Sequence, residues 1–191
     1  NSLVATLSTT LIAIPFGFSA AYALARLNVK RSREISLMIL ATRMIPSIAI
    51  VVPVYTVFRT LHLINTMSGL VVAYVSFALP FAIWVIRGFL MGLPQEYEDS
   101  AMIDGCSHFG AMVRIILPLS MPGVISASLF VFLNSWGEMV FALNLTIDNT
   151  ARTAPIGLAG LISAYGIEWG ELLAGSTILI LPMVLFTIFA Q

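Results

Sequence analysis

Residues 93–105 read Leu-Pro-Gln-Glu-Tyr-Glu-Asp-Ser-Ala-Met-Ile-Asp-Gly, and this acidic stretch interrupts an otherwise apolar chain. Pro94 suits the first turn of a helix, and the carboxylates after it would lie near the positive end of the helix dipole. Gly105 can end such a helix in a left-handed conformation. We therefore predict a short helix here, followed by a second helix that exposes Arg114 and stops at Leu117–Pro118.

The rest of the chain is too apolar for a water-soluble domain. Of its 191 residues, 59% are hydrophobic and 9% are charged, and the mean hydropathy is +1.00. A soluble domain usually carries about 25% charged residues, so most of this surface must face lipid. The formal net charge of zero gives no electrostatic basis for binding nucleic acid. The composition predicts an all-α, polytopic membrane protein.

Several kinds of chemistry are excluded by the residue types present. The single cysteine, Cys106, rules out an internal disulfide, and His62 and His108 are too far apart in sequence to form a metal-binding pattern. No nucleophile–base set is visible, so we predict neither catalytic residues nor a metal site. Lys30 is the only lysine, and no glycine-rich run precedes it, so the chain has no phosphate-binding loop. We predict no cofactor in this chain; another chain would have to bind any ATP and Mg²⁺ used.

Five apolar stretches are long enough, or nearly so, to cross a bilayer, which takes about 20 residues at ~1.5 Å per residue. They run approximately over residues 3–25, 35–58, 69–86, 122–143 and 172–190. The second stretch is interrupted by Arg43, Pro46 and Pro53. The chain begins without an initiator methionine and ends inside an apolar run, so we expect a longer protein with a sixth helix before Asn1.

The basic residues predict how the chain is oriented in the membrane. One set of connections carries six of them, namely Arg26, Lys30, Arg31, Arg33, Arg87 and Arg114, and the other carries Arg59 and Arg152. Lysine and arginine are enriched in cytoplasmic loops, so the larger group is predicted to be cytoplasmic. We predict a single transmembrane domain over 1–191, in which residues 92–118 form a cytoplasmic helix–turn–helix. Residues 144–171 form an extracytoplasmic loop.

The order of residues in the cytoplasmic loop resembles the EAA coupling loop of ABC importer permeases. The matching positions are Pro94, Asp99, Ser100, Ala101, Asp104, Gly105, Leu117, Pro118, Pro122 and Gly123. Asp99 replaces the usual glutamate and Ser100 replaces an alanine. Similar matches follow the chain in order at Asn1-Ser2-Leu3, 21–26, Pro46 with Pro53, Asn65-Thr66, 80–84 and 136–138. Together they resemble the carbohydrate-uptake branch, and within it the second, maltose-type permease of the pair.

This resemblance implies a fold, an assembly and a set of coupling residues. The fold is that of a type I ABC importer permease with six helices when complete. A second permease, two cytoplasmic ATPase subunits and an extracytoplasmic solute-binding protein would complete the transporter in a prokaryotic inner membrane. The permease would not be an enzyme by itself. The residues that the resemblance assigns to ATPase coupling are Glu98, Asp99, Ser100, Ala101, Asp104 and Gly105.

The substrate implied is a sugar, such as the disaccharides maltose or trehalose or a longer oligosaccharide. Glycerol phosphate, a polyol or another small solute is the alternative within the same family. From another class, an ion-coupled secondary transporter would need intramembrane carboxylates, and Glu138 is the only one predicted.

Polar residues inside the predicted spans have two interpretations each. Asn134, Trp136 and Glu138 could line the translocation path, because a sugar site needs hydroxyl-binding groups and an aromatic face. They could instead bond to neighbouring helices and anchor the interface. Arg43 could extend its charge to the cytoplasmic surface, or it could serve a gate or an ion pair between subunits.

The outer loop is longer than most structureless connections, which favours a function over a plain connector. The resemblance implies that it meets the solute-binding protein and reaches towards the sugar cleft of that protein. The predicted contact residues are Pro155, Ile156 and Gly157.

Overall fold

A computed structural model describes residues 1–163 and 166–189, without the side chain of Ser163. The helices are α1 (Ser2–Arg26), α2 (Ser32–Ala41), α3 (Ser47–Thr60), α4 (Met67–Gly92), α5 (Glu96–Ile103), α6 (His108–Ala111), α7 (Leu117–Leu119), α8 (Met121–Trp136), α9 (Val140–Leu145), α10 (Ala154–Ala159) and α11 (Trp169–Phe189). A two-stranded antiparallel hairpin of β1 (Ile162–Ser163) and β2 (Gly166–Ile167) precedes α11. The all-α fold class is confirmed.

Three helices in the described residues, α1, α4 and α11, are long and apolar enough to cross a membrane by themselves. Two bent helix pairs raise this number to as many as five if each pair is one span. Four of the five predicted stretches correspond to one of these helices or to the first bent pair. The predicted stretch 122–143 overlaps only the second half of the other pair, whose first half, 108–119, lies in the predicted cytoplasmic loop. The predicted end of the last stretch, Ala190, lies outside the described residues, as do Ala164 and Tyr165 of the outer loop.

The second predicted span is broken, not continuous. Its two halves, Ser32–Met44 and Ser47–Thr60, are bent by 92°. The break follows a single 3₁₀ turn at Thr42–Met44, and Ile45 is extended with ψ 121°. Proline disfavours helical geometry in the residue before it, so Pro46 accounts for this extended residue.

The fourth predicted span ends earlier than expected. Helix α8 stops at Trp136, with Gly137 as its C-cap, so the predicted continuation to Leu143 is wrong. The chain turns at Gly137–Met139 and begins the separate helix α9. The Glu138 side chain accepts hydrogen bonds from the first amides of α9, which favours a new helix start over continuation of α8.

The core is built where α1 lies along α4 and α8. One buried cluster, including Leu70, Tyr74 and Phe141, lies at the end of α4 nearest the outer loop. A second cluster, including Phe18 and Ile86, lies towards the cytoplasmic loop. These two clusters fix the ends of α1 and α4 against the loops that carry the candidate sites.

Gly123 allows the closest approach between α8 and α4. A Cβ added at Gly123 would lie 2.6 Å from the Cβ of Phe89, closer than side-chain atoms pack. Only glycine therefore fits here. This contact gives a physical reason for the glycine in the Leu-Pro-x-x-x-Pro-Gly motif at residues 117–123.

Candidate functional site

The loop that is predicted to be cytoplasmic, residues 92–118, contains a short helix with a defined stop. Helix α5 begins at Glu96, two residues after Pro94. At its end, the Cys106 N–H donates to the Ala101 carbonyl at 2.9 Å, and the Gly105 N–H donates to the Met102 carbonyl at 3.1 Å. This pair of bonds, with Gly105 at φ +89°, is a Schellman stop. The predicted left-handed glycine is confirmed.

The second half of this loop runs further than predicted. Ser107 caps α6 by accepting a hydrogen bond from the Gly110 N–H at 3.2 Å. A π-helical turn follows at Met112–Ile116, and helix then continues through Pro118 to Leu119. The predicted stop at Leu117–Pro118 is wrong, because the wider π turn accommodates a proline that cannot donate a backbone bond. Arg114 is exposed, as predicted.

Helix α5 has two distinct faces. Glu98 and Ala101, one turn apart, are buried against the rest of the chain. Asp99 and Ser100 face outward, and Ile103 is 87% exposed. Asp104 and Gly105 are also exposed. Of the six predicted coupling residues, Glu98 and Ala101 therefore lie on the inner face of α5, where Glu98 meets Arg26 of α1.

A buried ion pair holds the inner face of α5. Arg26 Nε lies 3.5 Å from Glu98 Oε2, and each side chain is 8% exposed. The Arg26 guanidinium also donates to the Leu93 carbonyl at 2.8 Å. One turn earlier on α1, the Tyr22 hydroxyl lies beside Glu98 and donates to the His108 carbonyl at 3.5 Å. The last turn of α1 thus touches the coupling loop at three points.

This cluster was not predicted from the sequence. The pattern that could have indicated it is the pair Tyr22 and Arg26, spaced i, i+4 at the end of the first predicted span. Removing one partner of a buried ion pair typically costs about 3–5 kcal/mol, because an uncompensated charge remains. A buried pair is nevertheless weak evidence for stability, since apolar residues of similar volume often serve as well. What the Arg26–Glu98 pair adds is a fixed position of α5 relative to the end of α1.

A polar cavity of about 470 Å³ opens at the break in the second span. The side chains that give it polar character belong to Arg43, Tyr74, Asn134, Ser135 and Glu138. Its apolar wall includes Phe77 and Phe141, whose ring centroids are 4.6 Å apart. The cavity thus combines hydrogen-bonding groups with an aromatic wall.

Arg43 is held inside the helix assembly. Its guanidinium donates to the Phe77 carbonyl at 3.0 Å and to Asn134 Oδ1 at 3.4 Å. Phe77 lies in the turn before Pro80, where proline perturbs the helix backbone. Within the part of the chain that the structure describes, no carboxylate is within ion-pair distance of Arg43. The alternative in which Arg43 reaches the cytoplasmic surface does not hold, since α4 binds it.

The three predicted path residues do not lie together. Asn134 and Glu138 line the cavity, but Trp136 does not. Trp136 is 5% exposed and donates from Nε1 to the Leu179 carbonyl on α11 at 3.0 Å. Glu138 accepts from the Phe141 N–H at 2.9 Å, so part of its carboxylate is committed to the start of α9. Trp136 therefore has a packing role here.

The outer loop places its predicted contact residues differently from expectation. Ile156, on α10, is 5% exposed and belongs to the outer core cluster. Gly157 is exposed and Pro155 is half-buried. The contact of Ile156 with a partner stays a prediction, and α10 turns that side chain inward here. The exposed apolar groups lie in the hairpin that follows, where Ile162 is 56% exposed.

Two asparagines fasten the outer loop to the helices. The Asn1 side chain donates to the carbonyls of Asn149 and Arg152 at 2.9 and 3.0 Å. Asn65, in a left-handed conformation with φ +58°, accepts from the Ile147 N–H at 2.9 Å and donates its own N–H to the Leu145 carbonyl at 2.7 Å. These contacts give structural roles to residues that the family resemblance singled out.

Asp148 closes the turn within this segment. Its carboxylate accepts from the Thr150 N–H at 2.9 Å, as in an Asx turn. The same hydrogen bond lowers the pKa of Asp148 below its ordinary value. The outer loop is therefore shaped by fixed polar contacts.

Comparison with known proteins places the chain in a family. The family described as "Binding-protein-dependent transport system inner membrane component" matches residues 13–191. The chain belongs to this family. The resemblance to ABC importer permeases inferred from the coupling loop is confirmed.

The permease has curated relatives that match over its whole length. It is 35% identical over 193 residues to the trehalose transport system permease protein SugB of Mycobacterium tuberculosis, covering 100% of this chain and 70% of that protein. It is 34% identical over 192 residues to the trehalose/maltose transport system permease protein MalG of Thermococcus litoralis, covering 100% and 69%. A sulfoquinovosyl glycerol permease, SmoH of Agrobacterium fabrum, is 32% identical over 191 residues, covering 100% and 67%.

Solved structures share the fold of the permease. A chain of a bacterial ABC transporter involved in import of the acidic polysaccharide alginate superposes with a TM-score of 0.79 at 19% identity, covering 100% of the permease and 72% of that chain. A chain of the MetNI methionine ABC transporter in an inward-facing conformation gives a TM-score of 0.76 at 17% identity, covering 99% and 87%. The predicted type I ABC importer permease fold is confirmed.

Proposed function

We propose that the permease forms half of the translocation pore of an ATP-driven importer for a di- or oligosaccharide such as trehalose or maltose. The observation that carries this proposal is the cytoplasmic helix α5, with an exposed face and a left-handed glycine stop between two membrane helices. The substrate class is supported by the names of relatives that are 35% and 34% identical over the whole chain.

The proposed assembly contains a second permease, two cytoplasmic ATPase subunits and an external solute-binding protein. The ATPase subunits would bind ATP and Mg²⁺, and the permease would hold no cofactor and perform no bond chemistry. The protein would take a multi-pass position in a prokaryotic inner membrane, which the family description and the apolar helices support.

Coupling to the ATPase would use the outward face of α5. Asp99 offers a carboxylate, and Ile103 offers an apolar side chain that is 87% exposed. The Schellman stop at Gly105 keeps α5 short and rigid, so that closure of the ATPases can displace it as a unit.

The sugar would pass the polar cavity at the break in the second span. Asn134 and Glu138 offer hydrogen-bonding groups, and the Phe77–Phe141 wall offers an aromatic surface. Sugar sites combine these two kinds of group. Arg43 would fix the polar side of this path through Asn134. The partner permease would supply the remaining wall.

The outer loop would meet the solute-binding protein. Its exposed elements are Gly157 and the hairpin with Ile162 and Ile167, while Ile156 anchors α10 from inside. The contacts of Asn1 and Asn65 hold this loop on the helix ends, so a docking partner would meet a shaped surface.

The test is ATP hydrolysis by the purified complex, reconstituted with its solute-binding protein and a panel of sugars. One di- or oligosaccharide should stimulate hydrolysis and accumulate inside proteoliposomes only when ATP is present. Stimulation by glycerol phosphate or a polyol instead would reassign the substrate. Uptake driven by a proton gradient without any ATPase would refute the proposal.

A further inference from the structure

The two chain connections of α5 are not helical. Leu93, before the helix, is extended with φ −85° and ψ 135°. Ser107, after it, is extended with φ −73° and ψ 162°. Extended single residues at both ends cannot by themselves fix the direction of a short helix, because small changes of φ and ψ there would reorient it. α5 also packs against the helical segment 108–116 that follows it, but that segment belongs to the same loop, so a contact from a spanning helix is needed to hold α5 in place.

The Arg26–Glu98 ion pair supplies that contact from a different helix. The pair lies on the buried face of α5, opposite the outward face of Asp99 and Ile103. Arg26 is the last residue of α1 and also binds the Leu93 carbonyl. One guanidinium therefore ties α1 to the coupling helix and to the end of α4.

The opposite end of α1 is fastened to the outer loop. The Asn1 side chain donates to the carbonyls of Asn149 and Arg152, and the Ser2 hydroxyl accepts from the Ala154 N–H at 2.7 Å. Between these ends, α1 is a helix of 25 residues packed along α4 and α8. At ~1.5 Å per residue it spans about 37 Å, roughly the thickness of the membrane.

We propose that α1 and the coupling helix move as one body through the Arg26–Glu98 pair, and that α1 carries this movement to the outer loop. Glu98 and Arg26 are thus positioning residues, which act through α5 and not by touching the ATPase. This inference rests on the proposed coupling role of α5. It adds a route between the cytoplasmic and outer loops that is separate from the chain connections of α5.

The first test uses the assembled transporter with its ATPase subunits and binding protein in proteoliposomes. Glu98→Gln and Arg26→Gln should each lower the sugar transported per ATP by about fivefold or more, the lower end of couplings between distant sites. Arg26→Lys, which keeps the charge, should restore part of this ratio. Glu34→Gln and Arg33→Gln, exposed cytoplasmic residues of α2, are matched controls expected to leave it unchanged. An unchanged ratio in both Gln variants would overturn the proposal.

A second measurement leaves the Arg26–Glu98 pair intact. With Cys106 replaced by serine, spin labels at the exposed positions Leu27 and Tyr97, neither of which lies in the proposed ATPase contact, report the distance between the end of α1 and the coupling helix. The distance should be the same in the resting and ATP-bound states of the otherwise unchanged complex. A distance that changes between the two states would show that the two helices move independently and would refute the proposal.

A double-mutant cycle tests the route to the outer loop. Substitutions this far apart usually have additive effects. If α1 carries the movement, Glu98→Gln and Ser2→Ala should be non-additive in transported sugar per ATP. Additive effects would refute the route. If Gly105→Val also left transport normal, the coupling role of α5 itself would fail. If Gly105→Val uncouples transport while Glu98→Gln and Arg26→Gln both transport normally, only this inference is refuted.

Discussion

The Arg43 guanidinium donates a 3.0 Å hydrogen bond to the Phe77 carbonyl, which joins the break in the second span to α4. This bond brings a charged side chain to the polar cavity, where Asn134 is its other partner. A charge at mid-membrane is costly unless it faces protein or water. Arg43 therefore faces protein groups, which lowers the cost of its charge in the membrane, and it lies beside the proposed sugar path.

Replacing Arg43 should have opposite effects on insertion and on transport. Arg43→Leu should ease insertion of the isolated second span by about 2.5–3.5 kcal/mol on translocon scales. It should also lower sugar uptake by the assembled complex, because the contacts to Phe77 and Asn134 are lost. Insertion assays and uptake assays measure the two effects. Arg59→Leu, at the exposed end of α3, is the control for uptake; equal loss in both variants would contradict a specific role for Arg43.

Gly105 should be required for its backbone conformation and not for space. A Cβ at Gly105 meets nothing within 4 Å, but its φ of +89° is strained for other residues, at a cost of about 1–2 kcal/mol. Gly105→Val should therefore leave membrane insertion intact and uncouple ATP hydrolysis from sugar transport. Gly92→Val is a matched control, because its Cβ also meets nothing within 4 Å and its backbone is helical. Normal transport per ATP in the Gly105 variant would count against the coupling loop.

Asp99 should contribute by charge at the outward face of α5. Asp99→Lys should reduce binding of the ATPase subunits and uncouple hydrolysis, because the carboxylate is exposed and becomes a cation. Glu34→Lys makes the same change of charge on α2 and should have little effect. Co-purification of the ATPase with each variant gives the measurement. If the ATPase co-purifies equally with both variants, Asp99 is not part of the proposed interface.

Asn65 should hold two outer segments together. Asn65→Gly keeps the left-handed conformation but removes the side-chain bonds to the Ile147 and Asp148 amides. Leaving such donors unpaired costs about 1–3 kcal/mol where they are shielded from water, and less at this exposed site. Hydrogen exchange of those two amides should accelerate, while the amides of α4 stay protected. Unchanged exchange at both would show that Asn65 does not fasten the loop.

Labelling from outside should distinguish neighbouring residues of α10. In a Cys106→Ser background, Gly157→Cys should react with a membrane-impermeant maleimide and Ile156→Cys should not, because Ile156 is 5% exposed. The native Cys106, on the cytoplasmic loop, should be protected in intact cells. Reaction of Cys106 with the reagent added outside would show that the chain has the opposite orientation to the one predicted.

Local sequence signals predicted the helices well. The apolar stretches, the start of α5 near Pro94 and the glycine stop at Gly105 depend on neighbouring residues, so the sequence was sufficient for them. The break at Pro46 was signalled by a proline, yet its 92° bend was not, because tertiary packing sets how far a broken helix turns.

The sequence by itself determined that this chain lies in lipid, carries a short acidic helix and belongs among ABC importer permeases. Only the tertiary structure decided which way key side chains face. Glu98 points inward because Arg26 reaches this loop, where it binds Leu93, a residue 67 positions away. Trp136 turns to α11, and Ile156 turns to the core, for similar reasons. The face that a helix buries depends on partners distant in sequence, and no local pattern specifies them.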